Sequence, residues 1–255
     1  VNYRSLNVLA LALVLILIPA VVQGYVGAWI FLPLAIGYIV TLGWGVFDIG
    51  SQFFVRTIHK GEQGKVALTF DDGPHPVHTL QILNVLKEEG VKASFFCIGK
   101  HAEKHPELLQ RMMAEGHVIG NHTYSHTHRF GLFSEEKVLE EMQRGKAVLK
   151  SIIGRTPRFF RPPFGVMNPK IARAVAAERD IIIGWDLRSR DGVARSEKQI
   201  LDRVMPRLDK ATLLLFHDTN PHSAEAVRKV IQHLRGQGKE IVSLEELTGV
   251  APYAA

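Results

Sequence analysis

Two long apolar runs open the chain, and a regular alternation of short strand-like and longer helix-like stretches follows them. Residues 6–22 are almost uninterrupted Leu, Val, Ile and Ala, and residues 26–47 are again apolar with scattered Gly; neither run contains Lys, Arg, Asp or Glu. Each falls within the roughly 17–25 residues needed to cross a bilayer, and Trp29 and Trp44 sit near the two ends of the second run, where a membrane interface suits them. The pattern predicts a hairpin of two transmembrane helices within residues 1–50. The competing reading is a signal peptide followed by a buried core helix. Arg4 before the first run fits it, but no A-x-A-like cleavage site follows and the second run is too long and apolar for an ordinary soluble helix.

Residues 51–64 read as a linker, residues 65–247 as the main domain and residues 248–255 as a C-terminal tail. Within the domain, "VALTF" reads as a buried strand, "HTLQILNVLKEEG" as an amphipathic helix and "VKASFFCIG" as a strand. "PELLQRMMAEG" follows as a helix, "HVIGN" as a short strand and "SEEKVLEEMQRGKAVLKSIIG" as a long helix with Ser134 as its N-cap. The alternation continues through "RFFRPPFG", "NPKIARAVAAE", "DIIIGWDL", "SEKQILDRVMPRL", "ATLLLFHD", "PHSAEAVRKVIQHLRGQG" and "KEIVSL". Such repetition predicts an α/β fold with a parallel sheet and helices outside it. A closed or nearly closed (β/α) barrel fits the number of repeats better than an open doubly wound sheet.

Composition adds limits. At 255 residues, 46% hydrophobic and 22% charged, the chain can build one sizeable core with a short appendage. The single cysteine, Cys97, rules out an intramolecular disulfide and any CxxC metal site, and its apolar surroundings suit a small buried hydrophobe. The net charge of +6 is spread among Glu along helix-like stretches and forms no basic arm, so no nucleic-acid partner is expected. No protein partner is implied. Arg4, Arg56, Lys60 and Lys65 flank the apolar pair while its connecting "QGY" carries no Lys or Arg; counted plainly, this puts the domain in the cytoplasm. A single span with a cleaved or re-entrant segment reverses that orientation, so the side stays open.

Candidate chemistry gathers at the strand ends. In parallel barrels the loops after the strands converge on one mouth, and here Asp71 and Asp72 follow "VALTF", His122 follows "HVIGN", Arg161 follows "RFF", Asp191 trails "DIIIGWDL", and His217 follows "ATLLLF". His122 and His126 are four residues apart, so one helical turn would present both imidazoles on one face, a common arrangement for a divalent metal. A carboxylate would complete a two-His, one-carboxylate site with open positions, and Asp72 is the natural third ligand. A dication between Asp71 and Asp72 would turn their repulsion into mutual support.

With "TFDDGP", "HTYSH", "RPPFG", "WDLRSRD" and "LLLFHD" in this order, residues 65–247 resemble the polysaccharide deacetylases, the NodB-homology group also called carbohydrate esterase family 4. The resemblance implies a distorted parallel (β/α) barrel of the NodB-homology type and a metal-dependent hydrolase that removes acetyl groups from N-acetylated amino sugars. It implies Asp72, His122 and His126 as ligands of a divalent metal, usually zinc, with Co, Ni or Mn as alternatives. Asp71 would be the general base, paired with Arg161; His217 would be the general acid, oriented by Asp191. Phe164 would lend its backbone N–H to the oxyanion, Leu215 would line the acetyl pocket, and Pro163 and Trp185 would complete the substrate contacts. Departures are present too. Where the family commonly shows Asp-x-x-Asp-Trp, "RSRDG" has Arg188 and Gly192 at the outer positions, which removes an aromatic groove wall and puts the substrate in question. An N-acetylated glycan such as peptidoglycan or a chitin-like oligomer is the expected substrate. Hydrolysis of another C–N amide on the same scaffold, or an inactive membrane-tethered glycan-binding role, are the alternatives.

Overall fold

The computed structural model describes residues 2–254. Its apolar start forms α1 (Tyr3–Val22), capped by the Asn2 side chain on the Ser5 N–H, and α2 (Phe31–Phe47). The second apolar run is not one helix from its start: a single turn at Ala28–Ile30 precedes α2, and Pro33 falls in the first turn of α2, where its missing N–H costs nothing. The two helices run antiparallel and are joined across their interface by a hydrogen bond from the Tyr38 hydroxyl to Asn7 Oδ1, 2.7 Å. Both are long and apolar enough to cross a membrane, and only 6% of each is buried, so neither behaves as the core helix of a soluble domain.

The remaining chain wraps a parallel sheet around β1 (Lys65–Asp71). On one side of β1 lie β2 (Ser94–Cys97), β3 (Val118–Asn121), β4 (Phe159–Phe160) and β5 (Ile181–Ile182) in that order; on the other lie β7 (Leu213–His217) and then β6 (Leu187–Arg188). β8 (Glu240–Ile241) pairs with the first residues of β1. The helices between and after them are α3 (His78–Glu88), α4 (Gly99–Ala102), α5 (Pro106–Ala114), α6 (Glu135–Ile153), α7 (Pro169–Glu178), α8 (Glu197–Val204), α9 (Ser223–Gly236) and α10 (Leu244–Thr248).

The expected strand over "DIIIGWDL" is divided. Its first part is β5, paired with β4, and its last part leads into β6, paired with β7, with residues 183–186 crossing between the two ends of the sheet. The ladder is thus a half-barrel whose two edge strands are consecutive in sequence. Because the hydrophobic run is continuous, nothing in its pattern marks where one hydrogen-bond partner gives way to another.

Alternation along the central strands decides what faces where. Val66, Leu68 and Phe70 of β1 join Leu214 and Phe216 of β7 in the core beneath α3, α8 and α9. The other face carries Ala67, Thr69 and Asp71 on β1, opposite Leu213, Leu215 and His217 on β7 in register. A period of two therefore puts Asp71 beside His217 at the carboxyl end of the sheet, on the interior face.

The segment after α2 is part of the fold. Ile49 is buried with Phe130, Phe160, Met167 and Ile182; Phe53 is buried against Gly45, where a Cβ would collide with its ring; the Thr57 hydroxyl donates to Ile49 O. Ile58 bridges to Ile183, and Met167 N–H donates to Val46 O at the end of α2, 2.9 Å. The residues expected as linker are thus packed on the sheet edge in their first half.

Candidate active site

Asp71 ends β1 and points into the half-barrel, where its Oδ1 accepts from Arg161 Nη1 at 2.6 Å. Arg161 follows β4 and is fully buried; Nε donates to Ile183 O, Nη2 to Gly184 O and Nη1 also to Thr69 Oγ1, while the guanidinium lies 4.1 Å over the Phe96 ring. The planar fork is thereby held by four acceptors and an aromatic face. Burial pulls its pKa below the usual value, and the adjacent Asp71 carboxylate counters that.

Asp72 turns away with φ 78°, a backbone conformation that costs a non-glycine residue about 1 kcal/mol. His101 steadies this turn by donating Nδ1–H to the Asp72 carbonyl, 2.9 Å. The Asp72 carboxylate faces His122 Nε2 at 3.4 Å and His126 Nε2 at 3.3 Å, and one donor atom from each of the three side chains lies within 4.8 Å of the others. His122 Nδ1 lies 2.6 Å from Arg161 O; a carbonyl can only accept, so Nδ1 carries the proton and Nε2 presents its lone pair. Two imidazoles and a carboxylate converging with a fixed tautomer fit a first-row divalent cation.

His122 and His126 do not lie on a helical turn, contrary to the expectation from their spacing. Residues 122–126 form an irregular turn with Thr123 at φ 66° and His126 at φ 50°. Asn121 Oδ1 accepts from the Thr123 N–H, and Glu141 of α6 accepts from the Ser125 N–H and hydroxyl. These side chains take backbone bonds that a helix would have used, so the two rings meet at a centroid distance of 4.6 Å by another route. Burial pulls the His126 pKa down to about 4 against the opposing Asp72, which keeps its imidazole neutral. Burial opposes ionisation of Asp72, yet its histidine neighbours, His122 first and the protonated His217 with it, hold its carboxyl well below the usual range.

His217 stands across the cleft. Its Nδ1 lies 2.6 Å from Asp191 Oδ1 and its backbone N–H donates to Asp191 Oδ2. Asp191 is fully buried and also accepts from the hydroxyls of Ser189 and Ser223. Burial alone would lower the His217 pKa, but the hydrogen bond and charge of Asp191, with Asp71 and Asp72 behind, lift it to about 9. Asp218 is buried behind Gly73, where a Cβ would meet its carboxylate; burial pushes its pKa up to about 7 despite the Thr79 hydroxyl at 2.5 Å.

Asp71, Asp72, His122, His126, Phe164, Trp185, Leu215 and His217 line one cleft of ≈ 380 Å³. Arg161 and Asp191 sit behind it, holding Asp71 and His217, and Pro163 is buried outside the lining. Phe164, at φ 60°, stacks on His128 and meets His126. The sequence reading missed Thr69, His101, Ser189 and Ser223. Only Thr69, two residues before Asp71 on the same strand face, carried a signal that could have found it.

The family model for polysaccharide deacetylase matches residues 59–180. A peptidoglycan-N-acetylglucosamine deacetylase from Bacillus cereus is 34% identical over 189 residues, covering 72% of this chain and 68% of the relative. The chain belongs to the polysaccharide deacetylase family. The peptidoglycan-N-acetylmuramic acid deacetylase PdaC of Bacillus subtilis is 36% identical over 188 residues, which cover 74% of this chain and 39% of that longer protein. Among solved polysaccharide deacetylases, the Bc1960 peptidoglycan N-acetylglucosamine deacetylase superposes with a TM-score of 0.73 at 31% identity, covering 78% of this chain and 95% of the other. A family pseudoenzyme from Bacillus anthracis, 23% identical with a TM-score of 0.70, shares the fold, so turnover has to be argued from the side chains.

Proposed function

We propose that the chain is a metal-dependent N-deacetylase of a cell-envelope glycan, tethered to a membrane by α1 and α2. The observation that carries this reading is the grouping of Asp72, His122 and His126 between a carboxylate fixed by a buried arginine and an imidazole fixed by a buried carboxylate. A divalent cation at the three ligands, zinc first among the candidates, would polarise the acetamide carbonyl and bring the pKa of water towards the neutral range. Asp71, held in place by Arg161 Nη1, is the base that removes the proton from the attacking water. His217, kept protonated by Asp191, is the acid that delivers a proton to the leaving amine nitrogen. The Phe164 N–H assists at the developing oxyanion, Leu215 accepts the acetyl methyl group, and Trp185 shapes the sugar-binding wall, while the buried Pro163 belongs to the turn that presents Phe164. An inactive glycan-binding role is disfavoured because the ligand, base and acid positions all carry functional side chains.

The test is acetate release from N-acetylglucosamine oligomers and peptidoglycan by the full chain in detergent, before and after chelation and metal add-back. Release that is lost to the chelator and restored by the metal supports the reading. No release from protein carrying one equivalent of metal overturns it.

A further inference from the structure

Two arginines line the active-site cleft with no acidic partner among the described residues. Arg188 ends β6, in register with Leu215 of β7, and its guanidinium lies 5.4 Å over the Trp185 ring. Arg190 follows in the loop to Asp191, at φ 54° in the left-handed region, with its side chain exposed on the same cleft. Neither forms an ion pair with a carboxylate among the described residues, whereas the cleft's own acids are already engaged: Asp71 with Arg161, Asp72 with the imidazoles. The two guanidinium charges are therefore uncompensated beside the position where a sugar must lie. Gly192 leaves room next to them, since a Cβ there would already be 3.6 Å from His217 Nδ1 and a larger side chain would fill the space beside the acid.

We propose that Arg188 and Arg190 form an anion subsite that recognises an acidic substituent, carboxylate or phosphate, on the N-acetylated sugar whose acetyl group enters the cleft. The proposal rests on the deacetylase reading and narrows its substrate class. A guanidinium presents paired N–H donors that match both oxyanions, and Arg188, braced on Trp185, loses little freedom in forming them. A neutral N-acetylated oligomer would leave both charges unanswered. The sugar that fits carries an ether-linked carboxylic acid next to its acetamido group, or a phosphate on a neighbouring carbon.

The experiment uses the full, metal-loaded chain in detergent and three substrates: a disaccharide of N-acetylmuramic acid with its free lactyl carboxylate, the methyl ester of that disaccharide, and N-acetylglucosamine 1-phosphate. Acetate release should show kcat/KM at least about tenfold higher for an anionic substrate than for the ester, carried mainly by KM, as one charge-assisted pair supplies. Preference for the disaccharide acid identifies carboxylate as the natural group, and preference for the sugar phosphate identifies phosphate. The Arg188→Gln/Arg190→Gln variant should lose that preference, falling by about tenfold more on the anion than on the ester, and the Lys/Lys variant should recover part of it. Equal losses on all substrates, or a wild type that does not favour either anion, overturn the subsite. If no substrate releases acetate, calorimetric binding of the same three decides separately. Binding of an anion that is preferred over the ester and lost in the Gln variant keeps the subsite while removing the deacetylase reading; indifferent binding removes the subsite.

Discussion

Asp71 and Asp72 are neighbours with opposite environments, and that contrast organises the chemistry. Strand alternation sends Asp71 inward to the buried Arg161, whereas the positive φ of Asp72 swings its carboxylate to the histidines. Asp71→Asn should therefore abolish acetate release while one equivalent of metal remains bound; metal loss measured by elemental analysis would make Asp71 a ligand instead. The same variant leaves Arg161 buried without its anion, a defect of about 3–5 kcal/mol, so its melting temperature should also fall. For His217, a pKa of about 9 in the folded protein lies above the usual histidine value, so the imidazolium proposed as the acid is present below that pH and is lost as pH rises through it. Its contribution to stability has the same sign: full below the unfolded value of about 6.5, lost as pH rises through the folded value. Asp191→Asn should shift the alkaline limb of the kcat–pH profile to lower pH and reduce kcat, whereas a limb that stays in place would detach His217 from Asp191.

Between residues and fold, elements hold the three side chains proposed as ligands in position. α6 begins where its sequence signals it, with the Ser134 hydroxyl accepting the Lys137 N–H, and its interior glycine has a reason that the sequence does not disclose. Gly145 packs against the turn that carries His122 and His126: a Cβ there would lie 2.8 Å from the Thr123 carbonyl carbon and 2.5 Å from Asn121 Oδ1. Alanine is the better helix former by about 1 kcal/mol, yet Gly145→Ala should lower the melting temperature and weaken metal affinity, because the obstacle is largely backbone. A variant with unchanged metal affinity and a raised melting temperature would show that the turn yields. The four-residue spacing of the histidines correctly suggested convergence but for the wrong local geometry, since Asn121 and Glu141 compete for the backbone bonds from places that local periodicity does not register.

At the scale of the whole molecule, the apolar hairpin and the half-barrel are continuous. Val46 at the end of α2 is hydrogen-bonded to Met167, three residues beyond Phe164 on the cleft, and Ile49, Phe53 and Thr57 are buried on the way to the sheet. A chain begun at Lys60 discards Ile49, Phe53 and Thr57 and exposes the cluster they cover; one begun at Asp48 keeps these three and gives up only the Val46 bond. Loss of Ile49 and Phe53 packing is worth several kcal/mol, so the shorter chain should melt about 5–15 °C lower by calorimetry, and equal melting temperatures would make this segment dispensable. The membrane reading has its own readout here, since the full chain should co-sediment with lipid vesicles and the chain begun at Asp48 should not.

What the sequence determined by itself were the features that depend on local pattern and residue chemistry. The two apolar runs, the strand–helix alternation, the Ser134 cap and the acids and histidines at strand ends are all of this kind, because hydrophobic period and ionisable groups are properties of neighbouring residues. Tertiary structure decided which strands meet and what lies behind each functional group. Only the register of β1 with β7 brings Asp71 beside His217, and only folding carries Ser189, Ser223 and His101 to the carboxylate and carbonyl that they hold. The division of "DIIIGWDL" between two edges, and the unanswered charges of Arg188 and Arg190 in the cleft, have the same origin: partners distant in sequence leave no trace in a local pattern.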